Sequence, residues 1–124
     1  MPNIASAKLY YGIPFEWDIS TDTVPGLPWD LGGDLEEWDG TSWWEGLPDE
    51  SLEKPFTCET FGQANHRACI LTSPHYPGFC VEWGTLKLDP AILLNLPSDP
   101  VFEAFAQKYF PDRELAWYLC AVAT

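Results

Sequence analysis

From Glu16 to Glu53 the chain runs for 38 residues without a lysine or arginine and carries 12 of its 19 acidic residues. The same segment holds five of the seven tryptophans: Trp17, Trp29, Trp38, Trp43 and Trp44. Pro25, Pro28 and Pro48 are interleaved with Gly26, Gly32, Gly33, Gly40 and Gly46, a density that breaks regular elements. The segment therefore reads as a long loop region, with short turns of helix where Asp34 caps Leu35 to Trp38 and Asp49 caps Glu50 to Glu53. Disordered acidic tails carry few aromatics. Five indoles in this stretch argue for a loop that is structured and pinned by its tryptophans.

The rest of the chain is different in kind. It has seven acids against six bases, a net of −1, so nearly all of the formal charge of −13 belongs to one contiguous third. Apolar residues make up 46% of the 124, enough for one core and one domain spanning 1–124. Ala7 to Ile13, Phe56 to Phe61, Arg67 to Ser73 and Phe79 to Leu88 are rich in strand-forming residues. Pro74 to Gly78 is a five-residue turn, which predicts a hairpin between the last two. Gly84 falls where the apolar phase of Phe79 to Leu88 shifts, as at a bulge.

Two helices are then predicted. Asp89-Pro90 opens one that runs to about Leu96, and Asp99-Pro100 opens one that ends before Pro111. Val101, Phe102, Phe105, Ala106 and Tyr109 make the apolar stripe of the second. Leu115 to Val122, apolar on both faces, suits a central strand or a buried helix and is read as a strand. The fold class is α+β: an antiparallel sheet of about five strands, two short C-terminal helices and a long acidic, Trp-rich loop region after the first strand.

No apolar run is long enough to span a bilayer, and Met1 to Tyr11 lacks the pattern of a secretory signal. The expected compartment is the cytoplasm, where Cys58, Cys69, Cys80 and Cys120 are reduced. Zinc knuckles use close ligand pairs such as C-x-x-C, and the ten-residue gaps between Cys58, Cys69 and Cys80 supply none. An EF-hand loop from Asp34 to Glu45 has the right length, but Asp39 stands where glycine is required and Trp38 where a ligand is. Ser73 and His75 lack a G-x-S-x-G elbow, and the cysteines lie in apolar strand patterns that bury rather than activate a thiol. No phosphate-cradling glycine loop occurs. The chain reads as a binding protein with no catalytic residues, no metal and no cofactor.

Three short motifs, Leu9-Tyr10-Tyr11-Gly12-Ile13, His75-Tyr76-Pro77 and Trp117-Tyr118-Leu119, resemble a layout in small acidic bacteriophage and prophage proteins. The resemblance implies a phage setting inside a host cytoplasm. There, such proteins block host defence or host nucleic-acid enzymes, as anti-CRISPR proteins do. The charge implies the same kind of partner. An acidic chain steers toward basic proteins and away from nucleic acid and anionic membrane. Twelve carboxylates match the charge of roughly 20 Å of duplex. The expected function is inhibition or sequestration of a basic, nucleic-acid-handling host protein, in the manner of a DNA mimic. The candidate contact residues are Asp34, Glu36, Glu37, Trp38, Asp39, Trp43, Trp44 and Glu45, with the tryptophans as desolvated anchors. The same chemistry suits an immunity protein or antitoxin that caps a basic toxin. A small carbohydrate-active or metal-dependent enzyme is the alternative of another class.

Overall fold

In the computed structural model of the chain, residues 5–18, 20–21, 23–29, 31, 39–48, 53–63, 66–76, 78–81, 90–94 and 97–123 are described. The long first strand, β1 (Ala5–Phe15), organises the rest. Along one edge it pairs antiparallel with β5 (Ala116–Ala123), from Ala5 opposite Ala123 to Gly12 opposite Ala116. Along its other edge it carries two strands in one lane. β3 (His66–Thr72) pairs with Gly12 to Phe15, and β4 (Phe79–Val81) pairs with Ala7 to Leu9. β2 (Thr57–Gln63) lies outside β3, again antiparallel. The architecture is α+β, with an antiparallel sheet and packed helices.

The shared lane corrects one expectation. β3 and β4 do not fold back on each other as a hairpin. Both run antiparallel to β1, and the chain leaves the lane after Thr72 and rejoins it at Phe79, skipping Tyr10 and Tyr11. Local bonds explain why the excursion does not reverse the chain. Ser73 Oγ donates to Asp99, and the Tyr76 hydroxyl donates to the Ser98 carbonyl at 3.0 Å, so the loop is tied to the segment ahead of the last helix. Gly78 then returns the chain to the sheet at φ 83°, against Tyr10. A Cβ there would fall 2.6 Å from the Tyr10 ring and 2.7 Å from the Leu9 carbonyl oxygen. The region expected to continue β4, with Gly84, lies outside the described residues.

Alternation sorts the side chains onto two faces. One face presents Ile13, Phe15, Cys69 and Leu71, all at or near zero exposure, to the main core. The other carries Tyr10, Ile70 and Cys120, packed with Phe61 and Tyr118. This second, smaller cluster exists because the sheet curls until β2 and β5 approach each other. Gly12 permits the curl: a Cβ on it would stand 2.2 Å from the Leu71 carbonyl oxygen, so only glycine fits so close to β3.

The last helix closes the main core. α2 (Pro90–Leu94) is short. α3 (Pro100–Tyr109) opens as predicted: the Asp99 carboxylate accepts from the Phe102 amide at 3.2 Å, and Pro100 sits at the first helical position. Phe102, Phe105 and Ala106 are buried. The stripe is narrower than predicted at its start, since Val101 is 62% exposed. It lies about 100° around the helix from Phe102, off the buried face. Phe110, just past the helix, is buried instead. The run Leu115 to Val122 does form a strand, β5, but among the described strands it pairs with β1 alone, so it lies at the edge of the sheet and not at its centre, and Leu119 on it is 73% exposed.

Candidate protein-binding surface

The acidic segment contains one described helix, α1 (Thr41–Glu45). Five residues are too few to hold a helix by propensity, so its supports are external. Gly40 is the N-cap, and just ahead of it Asp39 Oδ1 accepts from the Thr41 amide at 2.9 Å. Gly40 takes a left-handed turn at φ 77°, and a Cβ there would lie 2.7 Å from the Trp29 ring. Lys54, the first base after the acidic run, reaches back to this end of the helix. Its Nζ donates to the Asp39 carbonyl at 3.0 Å and to Thr41 Oγ1 at 3.1 Å, stands 3.6 Å from the Asp39 carboxylate, and lies over the Phe56 ring. Burial works to raise the Asp39 carboxyl. The hydrogen bonds from Thr41 and the charge of Lys54 prevail and hold it below the usual range.

Trp43 and Trp44 both turn toward the core. Trp44 is 6% exposed and meets Phe105 edge-on at 5.8 Å. Trp43 is half-buried, 5.3 Å from both Trp29 and Tyr109. Trp29, Phe56 and Phe105 form a stack, with centroid spacings of 5.7 and 4.7 Å and planes within 16° and 17°. The segment is therefore fastened to α3 through its rings. Of the predicted anchors, Trp44 is a core residue and Trp43 offers a solvent-facing part only. Asp39 and Glu45 are exposed beside them. Asp34, Glu36, Glu37 and Trp38 lie outside the described residues, as do the turns predicted after Asp34 and Asp49.

A second fastening holds the start of the segment. Arg113 donates to the Pro14 carbonyl and to the Pro25 carbonyl, each at 3.1 Å, and its guanidinium lies 4.2 Å from the Phe15 ring centroid. Gly26, at φ 87°, gives it room. Pro14, Glu16, Trp17, Asp18, Pro25 and Arg113 bound an open cleft of about 480 Å³. Asp18 accepts from the Ser20 hydroxyl at 2.7 Å and amide at 2.9 Å, which holds its carboxyl low. Another groove of about 170 Å³ has Trp44, Phe105 and Tyr109 among its walls, with Glu53 and Lys108 also lining it. Neither Lys54 nor Arg113 stood out in the sequence as a clip. Lys54 had a signal, as the base that ends the acidic run. Arg113 had none, since its carbonyl partners are 88 and 99 residues away.

Ser73, His75 and Asp99 do come together, but not in the order of a catalytic triad. The Ser73 hydroxyl donates to Asp99 directly, and His75 touches Ser73 through its backbone amide at 3.1 Å. A triad requires the imidazole between the hydroxyl and the carboxylate. This cluster caps α3 and ties down the loop. Burial acts to raise the Asp99 carboxyl. Hydrogen bonds from Ser73 and the Phe102 amide, with His75 nearby, outweigh it and hold the group low. Among the described residues no three His, Cys, Asp or Glu side chains gather as a metal site would require, and no helix is long and apolar enough to cross a membrane.

Comparison with family models, with curated proteins and with solved structures found no match to this chain.

Proposed function

We propose that the protein is an acidic binding protein that sequesters a basic, nucleic-acid-handling protein by offering carboxylates in place of a phosphate backbone. One observation carries the reading. In the segment with 12 acids and no base, the rings of Trp29, Trp43 and Trp44 pack inward, while Glu16, Asp39, Glu45 and Glu53 are exposed. Like charges on one surface repel and cost stability, a cost tolerated where it serves a contact. The aromatic cluster supplies the rigid base that such a surface needs, so the charges are presented without further ordering on binding.

The contact extends over the acidic, Trp-rich loop region, from Asp34, Glu36, Glu37, Trp38 and Asp39 through Glu45 to Glu53. Carboxylates lead the encounter, and the open part of Trp43 contributes apolar area. Trp44 supports the surface from beneath. The setting is a host cytoplasm and the role anti-defence, as in anti-CRISPR proteins. Capture from a host lysate at low and high salt, followed by elution with duplex DNA, tests the reading. The expected catch is a basic nucleic-acid-binding protein, retained at low salt and displaced by the duplex. A catch that is acidic, or that is indifferent to both salt and DNA, overturns it.

A further inference from the structure

Among the described cysteines, Cys58 and Cys69 share one face of the sheet and Cys120 lies on the other. Cys58 on β2 lies opposite Leu71, and Cys69 on β3 lies opposite Thr60, so the two cysteines are diagonal neighbours on one face. Both belong to the main core, where Cys69 is wholly buried and Cys58 half-buried. The neighbouring Cys58 thiol, with burial, pushes the Cys69 thiol far above the ordinary range. Cys120 packs in the smaller cluster on the opposite face. Among the described cysteines, Cys58 is the most open to solvent.

We propose that Cys58 and Cys69 are a modification site: a dithiol that a peroxide converts to an intramolecular disulfide, stapling β2 to β3. Attack begins at the thiol that solvent reaches. The Cys58 thiolate displaces hydroxide from hydrogen peroxide, the O–O bond breaks, and Cys58 becomes a sulfenic acid. The Cys69 sulfur then attacks the Cys58 sulfur. The S–O bond breaks, the S–S bond forms, and the Cys69 proton leaves with the hydroxyl as water. Two thiols lose two electrons in total, and one peroxide is reduced to two waters. The second step is the slow one, because Cys69 holds its proton tightly. Diagonal strand neighbours stand about 7–8 Å apart at Cα, beyond the usual disulfide span of about 4.4–6.8 Å, so the bridge forms only as β2 is drawn inward and is readily reduced.

The test uses the wild-type protein, treated with hydrogen peroxide, alkylated before and after dithiothreitol, digested and mapped by mass spectrometry. The expected product is one linked pair of peptides carrying Cys58 and Cys69, with Cys120 still a thiol and the link removed by dithiothreitol. In Cys69→Ser, dimedone should trap a sulfenic acid at Cys58. In Cys58→Ser, the same oxidant should leave Cys69 reduced. Oxidation of wild-type Cys58 to sulfinic acid without a link, or a bridge joining any other pair, overturns the proposal. The mapping on the wild-type chain decides the matter even if a variant folds poorly.

Discussion

Two glycines separate backbone fit from mere permissiveness. Gly12 sits in the central strand with the Leu71 carbonyl oxygen 2.2 Å from where a Cβ would be. The obstacle is backbone, which cannot swing aside as a side chain can. Gly12→Ala should therefore lower stability by about 3 kcal/mol, the upper part of the range for overpacking, as read by urea unfolding. Gly46, after α1, has φ −80° and a Cβ position 3.4 Å from the nearest atom, the Ser42 carbonyl oxygen. Gly46→Ala should be neutral, or stabilise by about 0.5 kcal/mol through the unfolded chain. Equal effects at the two sites would mean that the curl of the sheet does not depend on Gly12.

Asp99 gives the residue scale a pH signature. Its carboxyl is held below the unfolded value, chiefly by Ser73 and the Phe102 amide acting against burial. A group depressed on folding stabilises fully above its unfolded pKa of about 3.9, and that contribution disappears as pH falls through the folded pKa. Asp99→Ala should cost about 1–2 kcal/mol at pH 7, the range of a lost helix cap. The gap between variant and wild type should close in acid below pH 4. A difference unchanged between pH 7 and pH 2.5 in chemical denaturation would show that the charge of Asp99 plays no part.

Elements were legible where a local rule is sufficient. Asp99-Pro100 announced α3, and the two-sided apolar run after Leu115 announced β5. The junction between β3 and β4 was not legible. A Pro- and Gly-bearing turn between two strand patterns fits a hairpin equally well, and the decision rests on bonds to Ser98 and Asp99 more than 20 residues away. α1 was missed for a related reason. It is held by the bond from the Thr41 amide to Asp39, by Lys54 and by the seating of two indoles, none of which appears in helical periodicity. The candidate surface was half legible. The clustering of acid and tryptophan is plain in the sequence, but indole rings suit cores and interfaces alike. Only packing assigns Trp44 to the core. Trp44→Ala should accordingly destabilise by about 3–5 kcal/mol, seen as an early thermal melt. A melt at the wild-type temperature would return Trp44 to the surface.

At the scale of the whole molecule, charge acts on folding and on binding in opposite senses. The net charge is −13, and against the 12 acids of the run stand few bases, among them Lys54, whose Nζ is 3.6 Å from Asp39. Added salt screens the remaining repulsion, over a Debye length of about 10 Å at 0.1 M. The melting temperature should therefore rise between low salt and about 0.3 M sodium chloride, whereas most salt-bridged surfaces gain nothing. Attraction to a basic partner is screened by the same ions, so association should slow over the same range. Replacing the exposed Glu45 and Glu53 by lysine separates the two roles. The double variant should melt higher than wild type at low salt, because two like charges are removed. It should also bind the partner more slowly, with a flatter salt dependence and little change in dissociation. If the melting temperature rises and the association rate stays at the wild-type value, these carboxylates are a solvated surface and the contact lies elsewhere on the protein.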